Sequence, residues 1–176
     1  MTPVVNALQH VRPVSTELLL AAGTIALVLA TLLPGLREKR GEIFASTLLL
    51  LAAAAALLYA TNIVPLLATD AAPRYLDLGN QNQALRVDKL GAFFKGLFLL
   101  IAAFTILLSY RSKDILSGHY SEFCALVLSV TLGMIFMATS ADMLMIYLSV
   151  EMGSILSYVL AGFMRNSPRS AEAAPI

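Results

Sequence analysis

The sequence predicts an all-α membrane protein with five transmembrane helices. Of its 176 residues, 59% are hydrophobic and 13% are charged, whereas a soluble domain is about half apolar and about a quarter charged. One soluble core cannot bury such an apolar excess, so we expect the chain to lie in a lipid bilayer. It contains five apolar runs, each close to the roughly 20 residues that cross the hydrocarbon core. Because a segment in lipid must satisfy its own backbone hydrogen bonds, each run is predicted to be a helix.

The first run ends at Pro34-Gly35, the second contains the alanine tract 52–56, and the third carries Lys95 in its first turns. A cleavable signal peptide is the alternative interpretation of the first run. That run is longer than an apolar signal core of about 7–15 residues, and no basic leader precedes it. We therefore predict a transmembrane bundle over residues 1–164, followed by a tail, 165–176, with spans at 18–36, 43–67, 91–110, 122–141 and 143–164.

The long connection lies between the second and third spans. Apolar and polar residues alternate in Arg74–Leu78 and Ala84–Asp88, around a centre rich in glycine, asparagine and glutamine. This pattern predicts a small β-hairpin on the membrane surface. A plain solvated loop remains the alternative.

The orientation follows from the lysines and arginines in the connections, which are enriched on the cytoplasmic side of membrane proteins. Four such residues lie on one side of the predicted bundle: Arg12, Arg74, Arg86 and Lys89. Seven lie on the other: Arg37, Lys39, Arg40, Arg111, Lys113, Arg165 and Arg169. The bias predicts that the N-terminus is outside and that the tail is cytoplasmic.

Charge and cysteine content exclude some other classes of function. The formal net charge is +1 and no basic stripe is present, so we expect the lipid bilayer, and no nucleic acid, as a partner. Cys124 is the single cysteine, which rules out a disulfide within the chain and a site of several thiolates. We expect Cys124 to be a packing residue.

Glu151 is the main candidate for a functional residue. It lies nine positions after Asp142, or roughly 13 Å along the helix axis, close to the middle of the membrane. A carboxylate at that depth costs about 2.5–3.5 kcal/mol on insertion scales, so such residues normally face a bundle interior or a wet cavity. Tyr147, Ser154 and Tyr158 share its predicted helix face. We expect this face to pack against another helix and to offer hydroxyl groups to a water chain.

Two interpretations of Glu151 are open: a carboxyl group that only locks helices together, and a proton relay that binds and releases a proton as a neighbouring cation moves. We favour the relay. Lys95 is a weaker candidate, because it lies roughly 9 Å into the third span and its long side chain can return the ammonium to the interface. Glu17 and Glu122, at the ends of spans, are predicted to be interfacial.

Several stretches together resemble a known family, subunit N of proton-pumping NADH-quinone oxidoreductase (respiratory complex I). The resemblance covers roughly the last hundred residues well, and the first two spans by hydropathy only. The stretches that carry it are Tyr75–Leu78, Val87–Lys95, Tyr120–Phe123, Leu132–Ala138, Asp142–Glu151, Ser157–Phe163 and Ser167–Ala174.

The resemblance implies a partial antiporter-like bundle. It also implies that Glu151 takes the place of the glutamate that, in this family, pairs with a lysine on a later helix of the proton channel. It further implies other membrane subunits of the complex as partners, flavin and iron–sulfur clusters in partner subunits, NADH and quinone as substrates of the complex, and no cofactor in this chain. Members of the family continue into further helices beyond the region of Ala173, so the sequence resembles an N-terminal fragment.

The leading hypothesis is therefore a proton-translocating, antiporter-like subunit of an NADH:quinone oxidoreductase, which is not catalytic alone and lies in an energy-transducing membrane. Two alternatives stay open: a subunit of a multi-subunit cation/proton antiporter or membrane-bound hydrogenase, and an inactive truncated remnant.

Overall fold

A computed structural model of the chain describes residues 14–31, 40–63, 74–77, 83–110 and 120–163. The described part contains five α-helices and a two-stranded antiparallel hairpin. The second helix continues into a π-helical turn, Tyr59–Ile63. In chain order the elements are α1 (Ser15–Thr31), α2 (Arg40–Leu58), β1 (Arg74–Asp77), β2 (Gln83–Val87), α3 (Lys89–Tyr110), α4 (Tyr120–Thr139) and α5 (Met143–Ala161).

The predicted class is confirmed, because the chain is an all-α membrane protein with helices at all five predicted positions. Four helical segments are long and apolar enough to cross a bilayer: Gly41–Thr61, Lys89–Tyr110, Tyr120–Thr139 and Met143–Ala161. Helix α1 is 17 residues long. The last residues of the first, second and fifth predicted spans, and the predicted tail 165–176, lie outside the described residues.

The boundaries of α4 differ from the prediction. The helix begins and ends two residues earlier than the predicted span 122–141. It ends early because the residues that follow it join the hairpin. Leu85 forms a β-bridge with Ser140, and the backbone N–H of Ala141 donates to the carbonyl oxygen of Ala84 over 3.0 Å. These contacts use backbone groups that a longer helix would have needed for its own ladder.

The predicted hairpin is confirmed. Arg74 is opposite Val87 and Leu76 is opposite Leu85, with a register irregularity between Leu76 and Asp77. The hairpin lies at the end of the bundle from which α1 and α3 start, and we call this end the hairpin side.

Helix α4 is the centre of the bundle. It packs against α1, α3 and α5, and more lightly against α2. Twelve of its twenty residues are buried, whereas Ser149 is the single buried residue of α5. Cys124 is fully buried, as expected for a packing residue. Helix α5 therefore lies at the edge of the described bundle, with one face against α4.

Aromatic side chains join the helices at the end opposite the hairpin side. Phe44 of α2 stacks on Tyr110 of α3, with ring centroids 4.2 Å apart. Tyr110 contacts Tyr120 of α4, and Phe123 contacts Phe163, just beyond α5. The Tyr120 hydroxyl donates to the carbonyl oxygen of Ile106 over 3.3 Å. This aromatic cluster fixes the starts of α2 and α4 against the ends of α3 and α5.

Candidate functional site

Glu151 is the single charged residue of α5. The helix begins directly after Asp142, which adopts an extended N-cap conformation, so Glu151 lies roughly 13 Å along the axis from that end. The helix on which the predicted depth rests is present, because α5 is continuous from Met143 past Glu151.

The orientation of Glu151 differs from the expectation of an interior position. Ser149 is buried against α4, and the backbone of Gly153 lies close to the same helix: a Cβ atom built on Gly133 of α4 would lie 3.2 Å from the backbone nitrogen of Gly153. Glu151 is two residues from Ser149, about 200° around the helix, and its side chain is exposed. Tyr147 is exposed as well. The close contact of α4 and α5 uses Ser149 and the backbone of Gly153, on the opposite side of the helix. The face that carries Glu151 is therefore directed away from the described helices.

The serine hydroxyls near Glu151 bond to their own helix. Ser154 Oγ lies 2.8 Å from the carbonyl oxygen of Val150 and 3.2 Å from that of Glu151. Ser149 Oγ donates to Met145 over 2.6 Å, and Ser157 Oγ donates to Ser154 over 2.8 Å. The proton of each hydroxyl is thus directed to the backbone. A water chain on the Glu151 face would therefore have to donate to Ser154 Oγ rather than accept from it.

Lys95 lies in a second charged site, separate from Glu151. Its Nζ atom is 2.5 Å from Oε1 of Glu17, and each of the two side chains is 2% exposed. Glu17 Oε2 and the neighbouring Thr16 Oγ1 are also buried, and neither has a hydrogen-bond partner in the part of the chain that the structure describes. The site joins the first turn of α1 to the second turn of α3.

Two expectations are corrected by this pair. The Lys95 side chain does not return to the membrane interface, because its ammonium group is enclosed in the bundle. Glu17 lies in the first turn of its helix, but its carboxylate is buried against the same ammonium group rather than exposed to solvent. Glu122, the other carboxylate predicted at a span end, lies in the first turn of α4 and is half-buried.

Helix geometry explains why the two side chains meet. Lys95 is the seventh residue of α3, so its Cα atom lies roughly 9 Å from the helix start, and Glu17 lies roughly 3 Å from the start of α1. Helical side chains point back towards the helix N-terminus. The long lysine side chain therefore covers the difference in depth and reaches the carboxylate.

Sequence reasoning missed Glu17 and Thr16 as parts of a site, although one signal was present. The predicted orientation places the starts of the first and third spans on the same side of the membrane. Glu17 and Lys95 carry opposite charges near these two starts, so they are close enough in depth to form an ion pair. The missing information was the lateral arrangement of the helices, which apolar runs of similar composition do not encode.

Among the residues that the structure describes, no lysine or arginine forms an ion pair with Glu151. The structure therefore does not bring Glu151 and Lys95 together. Glu151 is an isolated carboxylate on an outer face, and Lys95 belongs to a closed pair.

Comparison with known proteins gives a consistent set of relatives, although no family model matches the chain. The chain is 40% identical over 91 residues to NADH-quinone oxidoreductase subunit N of Anaeromyxobacter sp. (strain Fw109-5), a match that covers 52% of this chain and 18% of the relative. It is 49% identical over 89 residues to NADH-quinone oxidoreductase subunit N 2 of Symbiobacterium thermophilum, covering 49% of this chain and 17% of that protein.

A third relative is similar to about the same degree. NAD(P)H-quinone oxidoreductase subunit 2 of Picosynechococcus sp. is 42% identical over 91 residues, which are 52% of this chain and 17% of that protein. The chain thus spans less than a fifth of the length of these curated relatives. The resemblance inferred from the sequence motifs is confirmed, and the described helices are those of an integral membrane protein. Over about half of its length, this chain is similar to subunit N of NADH-quinone oxidoreductases.

Proposed function

We propose that this chain forms part of a proton-translocating, antiporter-like membrane subunit of an NADH:quinone oxidoreductase, with Glu151 as a proton relay. The observation that carries the proposal is the position of Glu151 on the face of α5 that does not contact α4. It lies roughly 13 Å along the axis from Asp142, a distance that corresponds to the middle of a hydrocarbon core of about 30 Å. A carboxylate left in hydrocarbon costs about 2.5–3.5 kcal/mol. This cost is lowered when the face of α5 that carries Glu151 borders a hydrated path or a cation on a further helix.

The chemistry of the proposed relay is simple. A carboxylate binds a proton when a neighbouring cation is distant and releases it when the cation approaches, because the cation stabilises the charged form. Glu151 supplies the proton-binding group, and Tyr147 and Tyr158 flank it on the same face. The cation would come from outside the described residues, since Lys95 is already paired with Glu17.

The redox chemistry is assigned to other subunits of the complex. In this proposal NADH and quinone are substrates of the whole assembly, flavin and iron–sulfur clusters are held by partner subunits, and this chain holds no cofactor. Its partners would be other membrane subunits of the complex. A further helix would cover the face of α5 that carries Glu151, with the N-terminus of the chain outside and the tail in the cytoplasm.

The test is Glu151→Gln in the assembled complex, which removes the charge and keeps the side-chain volume. Proteoliposomes should oxidise NADH but move fewer protons per NADH, because the route through this chain is closed. Asp142→Asn is the matched control: it removes an exposed carboxylate from the start of the same helix and should leave the ratio unchanged. Equal ratios for the wild type and Glu151→Gln would show that Glu151 is no relay.

A further inference from the structure

The buried pair at the start of α1 contains more polar atoms than its own contacts satisfy. Glu17 Oε1 accepts from Lys95 Nζ at 2.5 Å. The second carboxylate oxygen, Oε2, is buried and has no partner among the described residues, and the same holds for the hydroxyl of Thr16. Thr16 is 0% exposed. Two neighbouring residues of one helical turn thus direct unpaired oxygen atoms into the bundle.

A dry site of this composition is unfavourable. Taking a charged pair out of water carries a large desolvation cost for each ion, and this cost is recovered only if the remaining lone pairs and protons are also bonded. A buried hydroxyl without a partner adds its own desolvation cost. Other buried hydroxyls of the bundle avoid this cost: Thr47 Oγ1 donates to Ile43 over 2.6 Å and Thr131 Oγ1 donates to Val127 over 2.7 Å. Thr16 Oγ1, by contrast, is buried without a partner among the described residues.

A water molecule has both the hydrogen-bond donors and the acceptors that the unpaired atoms require. A buried water typically makes about three hydrogen bonds to otherwise unsatisfied polar groups. It can donate to Glu17 Oε2, and at Thr16 Oγ1 it can either donate or accept. We propose that Thr16, Glu17 and Lys95 form a water-binding site inside the bundle, at its hairpin side.

The location of the site allows water to reach it. Thr16 and Glu17 are the second and third residues of α1, so both lie within roughly 3 Å, along the axis, of the first residue of that helix. Lys95 enters from α3, whose first turn follows the hairpin directly. The bound water therefore lies a short distance from the aqueous layer. It hydrates a charge pair that is separate from Glu151, so the proposal does not depend on the relay.

The first test asks whether a substitution at Thr16 raises or lowers the melting temperature of the purified chain in lipid nanodiscs. Thr16→Val replaces the hydroxyl with a methyl group of similar size. If the hydroxyl bonds to water, its loss leaves that water with one partner fewer and lowers the melting temperature by about 2–4 °C. If the site is dry, removing an unpaired hydroxyl leaves the melting temperature unchanged or raises it, and the proposal fails. Thr47→Val, at a buried hydroxyl with a known partner, calibrates the loss.

The second test uses the unsubstituted chain, so it tests the proposed water site even if Thr16→Val does not fold. X-ray radiolysis in H₂¹⁸O produces hydroxyl radicals from bound water, and mass spectrometry locates the ¹⁸O label. We expect label at Glu17 and Lys95 several-fold above that at Leu128 and Ile135, after correction for intrinsic reactivity. Leu128 and Ile135 are also fully buried, but they lie in the hydrophobic core. Label at Glu17 and Lys95 no higher than at these two residues would overturn the proposal.

Discussion

Lys95 and Glu17 have almost no contact with solvent, so each charge is tolerated because the other lies beside it. We predict that Lys95→Met and Glu17→Met each lower the free energy of unfolding by about 3–5 kcal/mol, since each leaves one buried charge unpaired. The double variant should recover most of this loss, because it leaves no charge behind. A double-mutant cycle, measured by unfolding in one detergent, gives the coupling between the two residues.

Arg86→Met is the control for this cycle. Arg86 forms an ion pair with Asp88 at 2.9 Å, but the two side chains are 49% and 19% exposed. Exposed pairs contribute about 0.2–1 kcal/mol. If Lys95→Met costs no more than Arg86→Met, the Lys95 ammonium reaches the membrane interface after all.

For these charged residues, the sequence predicts the position along each helix but not the ion-pair partner. The positions of Glu151 and Lys95 along their helices follow from counting along each apolar run, and both residues lie in continuous helices in the structure. The partner of a charge depends instead on which helices are neighbours and how each is rotated. For this reason the sequence located Lys95 in a span but did not predict that Glu17 is its counterion.

At the scale of one element, the start of α3 depends on a side-chain cap. Asp88 Oδ1 accepts from the backbone N–H of Gly91 over 2.7 Å, which satisfies one of the free N–H groups at the helix start. We predict that Asp88→Ala lowers the free energy of unfolding by about 1 kcal/mol. Asp88→Asn should lose less, because asparagine caps as well as aspartate does. Chemical unfolding measures both.

Asp142 offers a matched comparison. It occupies the N-cap position of α5, but its side chain makes no capping hydrogen bond. Asp142→Ala should therefore change the stability by much less than Asp88→Ala. Equal losses at the two positions would mean that charge near the helix N-terminus, rather than the hydrogen bond, supplies the stabilisation.

The crossing of α4 and α5 depends on a glycine. A Cβ atom on Gly133 would lie 3.2 Å from the backbone nitrogen and 3.4 Å from the Cα atom of Gly153. Backbone atoms cannot move aside as a side chain can, so a larger residue must separate the helices. We predict that Gly133→Val destabilises the chain by about 1–3 kcal/mol, as overpacking typically does. The shift of the thermal unfolding midpoint measures the effect.

Gly153→Ala is the control on the partner helix. A Cβ atom at Gly153 meets no atom within 4 Å, and alanine is favoured over glycine in a helix by about 1 kcal/mol. This substitution should therefore leave the stability unchanged or raise it. A loss at Gly153 as large as that at Gly133 would show that α5 packs on α4 through a different face.

At the scale of the whole molecule, the five helix positions and the hairpin could be predicted, because apolar length and alternation are local properties of the sequence. The central position of α4 and the outward direction of Glu151 could not. In lipid, the inward and outward faces of a helix are both apolar, and small residues mark the contacts instead of hydrophobic residues. Ser149 and Gly153 are one helical turn apart in the sequence. The functional interpretation, however, came from the opposite face, which carries Glu151.

The outer face of α5 gives the last prediction, which tests whether the proposed assembly covers Glu151. A nitroxide at Tyr147→Cys lies on the exposed face one turn from Glu151, and Ser149→Cys provides a buried baseline. In the chain alone, dissolved oxygen should broaden the Tyr147→Cys spectrum strongly. In the assembled complex, the broadening should fall to the level of Ser149→Cys, because a further helix covers the face. Oxygen access that stays unchanged on assembly would leave Glu151 facing lipid, where it has neither a cation nor a water path for proton transfer.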